Sequence, residues 1–154
     1  MLFTAKDMIK YFNKGKVVIP NVYTKIAPGA FTGTDLESIV LPNTITSIGE
    51  SAFAKCSKLK SISIPSSVTE IGCEAFASCT SLSDIHLQEG LRKIHLYAFS
   101  FCNSLTHITI PSSVIEIELG AFRECANLKE IYLLGDTLLD DLQISDSVLI
   151  KGVS

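Results

Sequence analysis

Apolar positions recur along this chain in short bursts of one form. Leu59, Ile62 and Ile64 are repeated by Leu82, Ile85 and Leu87, by Leu105, Ile108 and Ile110, and by Leu128, Ile131 and Leu133. The closing pair of each burst has period two, which predicts a short strand with both apolar side chains inward and the middle residue outward. Proline follows at Pro20, Pro42, Pro65 and Pro111. Lacking an N–H, it ends a ladder strand there. Gly49 and Gly72 are read as turn glycines that free the backbone where the chain bends again. An Ala-Phe pair then completes the unit at Ala30-Phe31, Ala52-Phe53, Ala75-Phe76, Ala98-Phe99 and Ala121-Phe122, at spacings of 22, 23, 23 and 23. A fixed period of this length predicts stacked supersecondary units, because one unit cannot bury its own Leu, Ile and Phe side chains. Each fully buried side chain of this kind contributes about 1.5–3 kcal/mol.

The pattern divides the chain into three parts. Residues 1–15 are expected to form a capping helix: Thr4 and Asp7 make a box-like start, Ala5, Met8, Ile9 and Phe12 share a face, and Gly15 is a stop signal. Residues 16–133 hold the repeats, and residues 134–154 are expected to close the other end as helix or strand. The first unit departs from the pattern, with Thr34 near the cysteine position. Gln88 stands for proline, and His95 and Glu118 stand for glycine.

The repeated string L-x-x-I-x-I-P-x-S-[VI]-T-x-I-G-x-x-A-F-x-x-C resembles the leucine-rich repeats of the BspA-like, Treponema pallidum-type class, over about Lys16 to Leu133. The resemblance implies an α/β-type, right-handed, curved solenoid, built mainly of short parallel strands with turns or short helical segments and carrying its strands on the concave face. Members are mostly binding proteins, often on bacterial or protozoan surfaces, and the family has no shared catalytic residues. A non-catalytic protein-binding module is therefore expected, with a structural segment of a surface adhesin second. An enzyme using the His and Asp residues of the strand face is a distant third.

Composition narrows the partners. A net charge of −3 and 47% hydrophobic residues, with a mean hydropathy of +0.36, give no basic face for nucleic acid and ample material for a core. No apolar run approaches membrane-spanning length, so no membrane insertion is expected. Lys6, Asp7 and Lys10 break the start of the chain as a signal peptide. As written the chain is expected in the cytoplasm, or at the surface if it is a trimmed piece of a longer one. The partner is expected to be another protein, with no cofactor and no metal.

Cys56, Cys79, Cys102 and Cys125 recur every 23 residues. Such a ladder lies in a line rather than converging on a point, so buried reduced thiols are expected in place of a metal site. Cys73 lies outside it. Two surfaces are candidates for partner binding. On the strand face, the outward rows place Asp84, His86, His107, Thr109, Glu130 and Tyr132 on the later turns. On the outer loops, Leu96, Tyr97, Phe101 and Leu119 are apolar where earlier units are polar. Such a patch would serve a partner or a homodimer, unless the C-terminal tail folds over it.

Overall fold

A computed structural model describes residues 1–152. The chain winds as a parallel β-solenoid, and hydrogen bonds between successive turns run in three columns. The strands expected from the I-x-I pairs form the first column. Lys16–Val18 pairs with Ser38–Val40, Ser61–Ile64 with Asp84–Leu87, and His107–Ile110 with Glu130–Leu133, which pairs in turn with Leu149–Gly152. The second column is a single sheet of seven two-residue strands, at Leu2–Phe3, Lys25–Ile26, Ser47–Ile48, Glu70–Ile71, Lys93–Ile94, Glu116–Ile117 and Leu138–Leu139. It lies where the sequence suggested only turns.

The third column is the Ala-Phe loop. Phe31, Phe53, Phe76 and Phe99 each donate their N–H to the alanine carbonyl of the next turn, at 2.7–2.8 Å. The residue before the Ala-Phe pair and the second residue after it have positive φ in turn after turn. Ser51, Lys55, Glu74, Ser78, Tyr97 and Phe101 are of this kind, and each also donates to the following turn. No helix forms in the repeats: of the expected turns or short helical segments, turns are what form here, with i to i+3 bonds such as Ala52 N–H to Gly49 and Ala54 N–H to Ser51.

Inside, the phenylalanines stack. Phe3, Phe31, Phe53, Phe76, Phe99 and Phe122 lie ring over ring with centroids 5.0–5.6 Å apart and planes within 5–11°. The cysteine ladder runs beside them, buried and unpaired as disulfides. Each thiol donates to the carbonyl of the phenylalanine one turn back: Cys56 to Phe31 at 3.1 Å, Cys79 to Phe53 at 3.0 Å, Cys102 to Phe76 at 3.3 Å and Cys125 to Phe99 at 3.1 Å. Cys73 is half-buried, away from this column.

Gly49 and Gly72 act through space rather than dihedral freedom, since neither has positive φ. A Cβ on Gly49 would lie 2.6 Å from the Pro28 nitrogen, and one on Gly72 would lie 2.8 Å from the Glu50 nitrogen. Adjacent turns pass too closely there for a side chain placed on the same path.

The N-terminal helix is shorter than expected, Ala5–Tyr11. The strand Leu2–Phe3 precedes it and places Phe3 on the end of the ring stack. Asp7 fastens the helix by accepting from the Thr4 N–H at 2.9 Å, the Thr4 hydroxyl at 2.7 Å and the Tyr23 hydroxyl at 2.8 Å. These bonds, Thr4's foremost, lower the pKa of the Asp7 carboxyl. The expected apolar face is rotated. Met8, Tyr11 and Phe12 pack on the core, whereas Ala5 is exposed and Ile9 is 74% exposed. Gly15 is buried with φ +80, beyond the helix end at Phe12. The C-terminal tail adds Leu138–Leu139 to the short-strand sheet and Leu149–Gly152 to the last long-strand sheet, and buries Leu142.

Burial raises all four ladder thiols, Cys125 to about 11. A raised folded pKa gives stability that is complete below the unfolded value, near 8.5, and is lost as pH rises through the folded one. Above about pH 8.5 stability is therefore expected to fall by up to about 1.4 kcal/mol per pH unit for each thiol. Urea midpoints between pH 7.5 and 10 measure this, and Cys79→Ala should make the decline shallower. A midpoint whose pH dependence is the same in the variant would contradict it.

Candidate functional site

The strand face has the register the repeats imply. Ser61 faces Asp84, Ser63 faces His86, His107 faces Glu130 and Thr109 faces Tyr132. Asp84, His86, His107 and Thr109 are exposed. His107 Nδ1 lies 3.1 Å from the Thr106 hydroxyl. Glu130 is engaged differently, hydrogen-bonded by Lys151 Nζ and by the Tyr132 hydroxyl. These two donors, Lys151 first, lower its carboxyl pKa against a smaller effect of burial. Lys151 also stands 5.5 Å from the centre of the Tyr132 ring. The structure thus ties Glu130 and Tyr132 to the tail and leaves the other four as separate exposed side chains. Lys151 was not legible as part of this face, because the register of the tail strand has no I-x-I burst to set it.

A second polar group stands on the short-strand sheet. Its outward row reads Lys25, Ser47, Glu70, Lys93, Glu116. Lys93 Nζ lies 2.9 Å from Glu116 and 2.6 Å from Glu118. His95 sits between two carboxylates, Nδ1 3.2 Å from Glu118 and Nε2 3.3 Å from Glu70. Burial pushes the Glu118 carboxyl up, but the Lys93 hydrogen bond, the His95 and Lys93 charges and the Leu96 N–H outweigh it and leave its pKa lowered. The hydrogen bonds that Lys93 donates to Glu118 and Glu116 raise its pKa. His95 and Glu118 occupy the position that Gly49 and Gly72 hold in earlier turns. The alternating charge at a spacing of 23 was the available signal. Among the described residues, no group of three His, Cys, Asp or Glu is arranged to hold a metal ion.

The outer patch is open. Leu96 is 37% and Phe101 43% exposed, and Tyr97 and Leu119 are half-buried. The described part of the tail does not fold back over them; it winds on as a further turn, with the Gly120 N–H donating to the Asp141 carbonyl at 2.6 Å. Tyr97 lies across Gly120, where an added Cβ would stand 2.3 Å from the Tyr97 ring. Both aromatics occupy the left-handed positions of their turn, Tyr97 at φ 55 and Phe101 at φ 58. Bulky side chains are rare in that region, because Cβ crowds the following carbonyl oxygen. The first unit fills the same two positions with Gly29 and Gly33.

The comparisons agree with this geometry. The family model described as BspA type leucine rich repeat region matches residues 13–142 in six copies. A leucine rich repeat protein of T. pallidum superposes with a TM-score of 0.75 at 32% identity, over 89% of this chain and 72% of that one. A leucine-rich repeat protein of Eubacterium ventriosum ATCC 27560 gives 0.72 at 25% identity, over 82% of this chain and 33% of that one. A leucine rich cell surface protein of Faecalibacterium prausnitzii A2-165 gives 0.67 at 21% identity, over 88% and 52%. This chain therefore spans about half of the Faecalibacterium protein and a third of the Eubacterium one. No curated protein matches it.

Glycine at position 101 would relieve the left-handed strain at the cost of a half-exposed ring. Phe101→Gly is expected to leave stability unchanged or raise it by roughly 0.5–1 kcal/mol. Chemical denaturation measures this, and a loss above about 2 kcal/mol would show that the ring is part of the core.

Proposed function

Because the chain belongs to the BspA-type leucine-rich-repeat family, we propose that it is a non-catalytic protein-binding module that docks its partner on the outer patch of Leu96, Tyr97, Phe101 and Leu119. The observation that carries this is the pair of aromatics held at two left-handed positions of one turn. Residues in sparsely populated backbone regions persist only where the surrounding structure over-determines them, and they cluster at binding and switch sites. Here the turn-to-turn hydrogen bonds impose the conformation, and aromatics stand where glycine would be easier. Tyr and Phe supply large rigid contact area at low entropic cost, as interface anchors do.

The strand face is the second reading, supported by the exposed Asp84, His86, His107 and Thr109 on adjacent turns. Capture from an extract of the source cells, with the captured protein identified and rebound in pure form, separates the two. Phe101→Gly combined with Leu96→Asp is expected to abolish rebinding while leaving circular dichroism unchanged. His86→Ala with His107→Ala is expected to retain it. The opposite pattern would move the site to the strand face.

A further inference from the structure

Beneath Tyr97 and Phe101 the solenoid carries a trough of about 350 Å³ running along its axis. Its floor is a column of small residues, Ala54, Ala77 and Ser100, exposed by 6%, 9% and 4%. A floor of small residues alone is only a consequence of close-packed turns. Ser100 sets this one apart. It is the one polar residue in the buried set of the described chain, and its hydroxyl has no hydrogen-bond partner among the described residues. Among the described residues, fully buried side-chain nitrogen and oxygen atoms are all paired, so the Ser100 Oγ opens into the trough. A hydroxyl on a buried residue that opens unpaired into a cavity is free to bond a ligand atom.

Charge points to the kind of ligand. Lys55 and Arg123 line the trough near its two ends, and the only acid lining it is Glu74. Both cations are exposed, and neither takes part in an ion pair among the described residues; the ion pairs of the chain lie at Asp35, Lys93, His95 and Glu130. Lys55 and Arg123 stand three turns apart, about 14 Å at ~4.8 Å per turn, which is the reach of four extended residues at ~3.4 Å each.

We propose that this trough binds an extended acidic peptide segment of the partner protein. An apolar side chain of the segment lies against Phe101, the Ser100 hydroxyl hydrogen-bonds its backbone, and carboxylates four residues apart meet Lys55 and Arg123. The assignment rests on the reading of the outer patch as the docking surface and adds the chemistry of what docks there.

The probes are the pentapeptide acetyl-Asp-Ala-Leu-Ala-Asp-amide and its counterparts with Asn or Lys in place of both Asp residues. Each is titrated into the intact ¹⁵N-labelled chain. The acidic probe is expected to shift the amides of Ser100, Phe101 and Arg123, to bind roughly tenfold more tightly than the lysine probe, and to weaken with salt. Lys55→Glu with Arg123→Glu, both on the surface, should reverse that preference. Equal affinity for the three probes, or shifts confined to another face, would overturn the proposal. If the probes fail while Phe101-dependent capture of a partner persists, the acidic-peptide assignment falls and the docking surface stands. If that capture fails too, both fall.

Discussion

The fold rests on one requirement: the backbone groups left open by each turn are satisfied by the next turn, about 4.8 Å away. Three columns of hydrogen bonds meet it, in the long strands, the short strands and the Ala-Phe loop. Once the backbones are in register, each side chain lies over its counterpart one repeat away. Phenylalanine then stacks on phenylalanine at 5.0–5.6 Å. Cysteine is suited to its position because it is small, tolerates burial and still donates weakly to the phenylalanine carbonyl behind it. The same carbonyl already accepts the N–H closing its own turn, as Phe53 does from Cys56, so the thiol occupies its second lone pair.

The left-handed residues follow from that requirement. To point the N–H of Phe76 and of its flanking residues Glu74 and Ser78 all toward the next turn, the backbone adopts positive φ at both flanks. The core sets the conformation there and leaves the side chain free to vary. The sequence uses that freedom unevenly, with glycine in the first unit, Ser, Lys and Glu in the middle ones, and Tyr97 and Phe101 in the fourth. The scaffold thus separates its tasks: inward columns repeat, while outward columns carry whatever chemistry distinguishes one turn from another. The same division explains the Lys93, His95 and Glu118 group, which occupies outward positions of the short-strand sheet.

The repeat, its inward residues and the buried thiol ladder were all legible in the sequence, since each is a column of identical residues at one spacing. The short-strand sheet was not, because two-residue strands such as Glu70–Ile71 show one apolar residue and no alternation. Phe3 was not legible as the first ring of the stack because it stands in a short strand, in register with Ile26, and not in an Ala-Phe loop. The helix face was misjudged by one position: Tyr11 packs on Phe3 and Tyr23, and Ile9 turns to solvent. On the strand face the rows were correct, but the tie between Glu130 and Lys151 depended on a tail strand with no repeat signature. The outer patch could be read as apolar from sequence; its backbone strain and the open Ser100 hydroxyl could not, because both depend on the path of the loop between stacked turns.

Amide hydrogen exchange tests the central claim most directly. If the Ala-Phe loops are a hydrogen-bonded column of the solenoid, the N–H groups of Lys55, Glu74, Ser78, Tyr97 and Phe101 exchange as slowly as those of Ile62, Ile85 and Ile108 in the long strands, near the limit set by global unfolding. Exchange of those five amides at the rate of open surface loops, with the strands still protected, would contradict it and remove the rigid platform on which the outer patch is displayed.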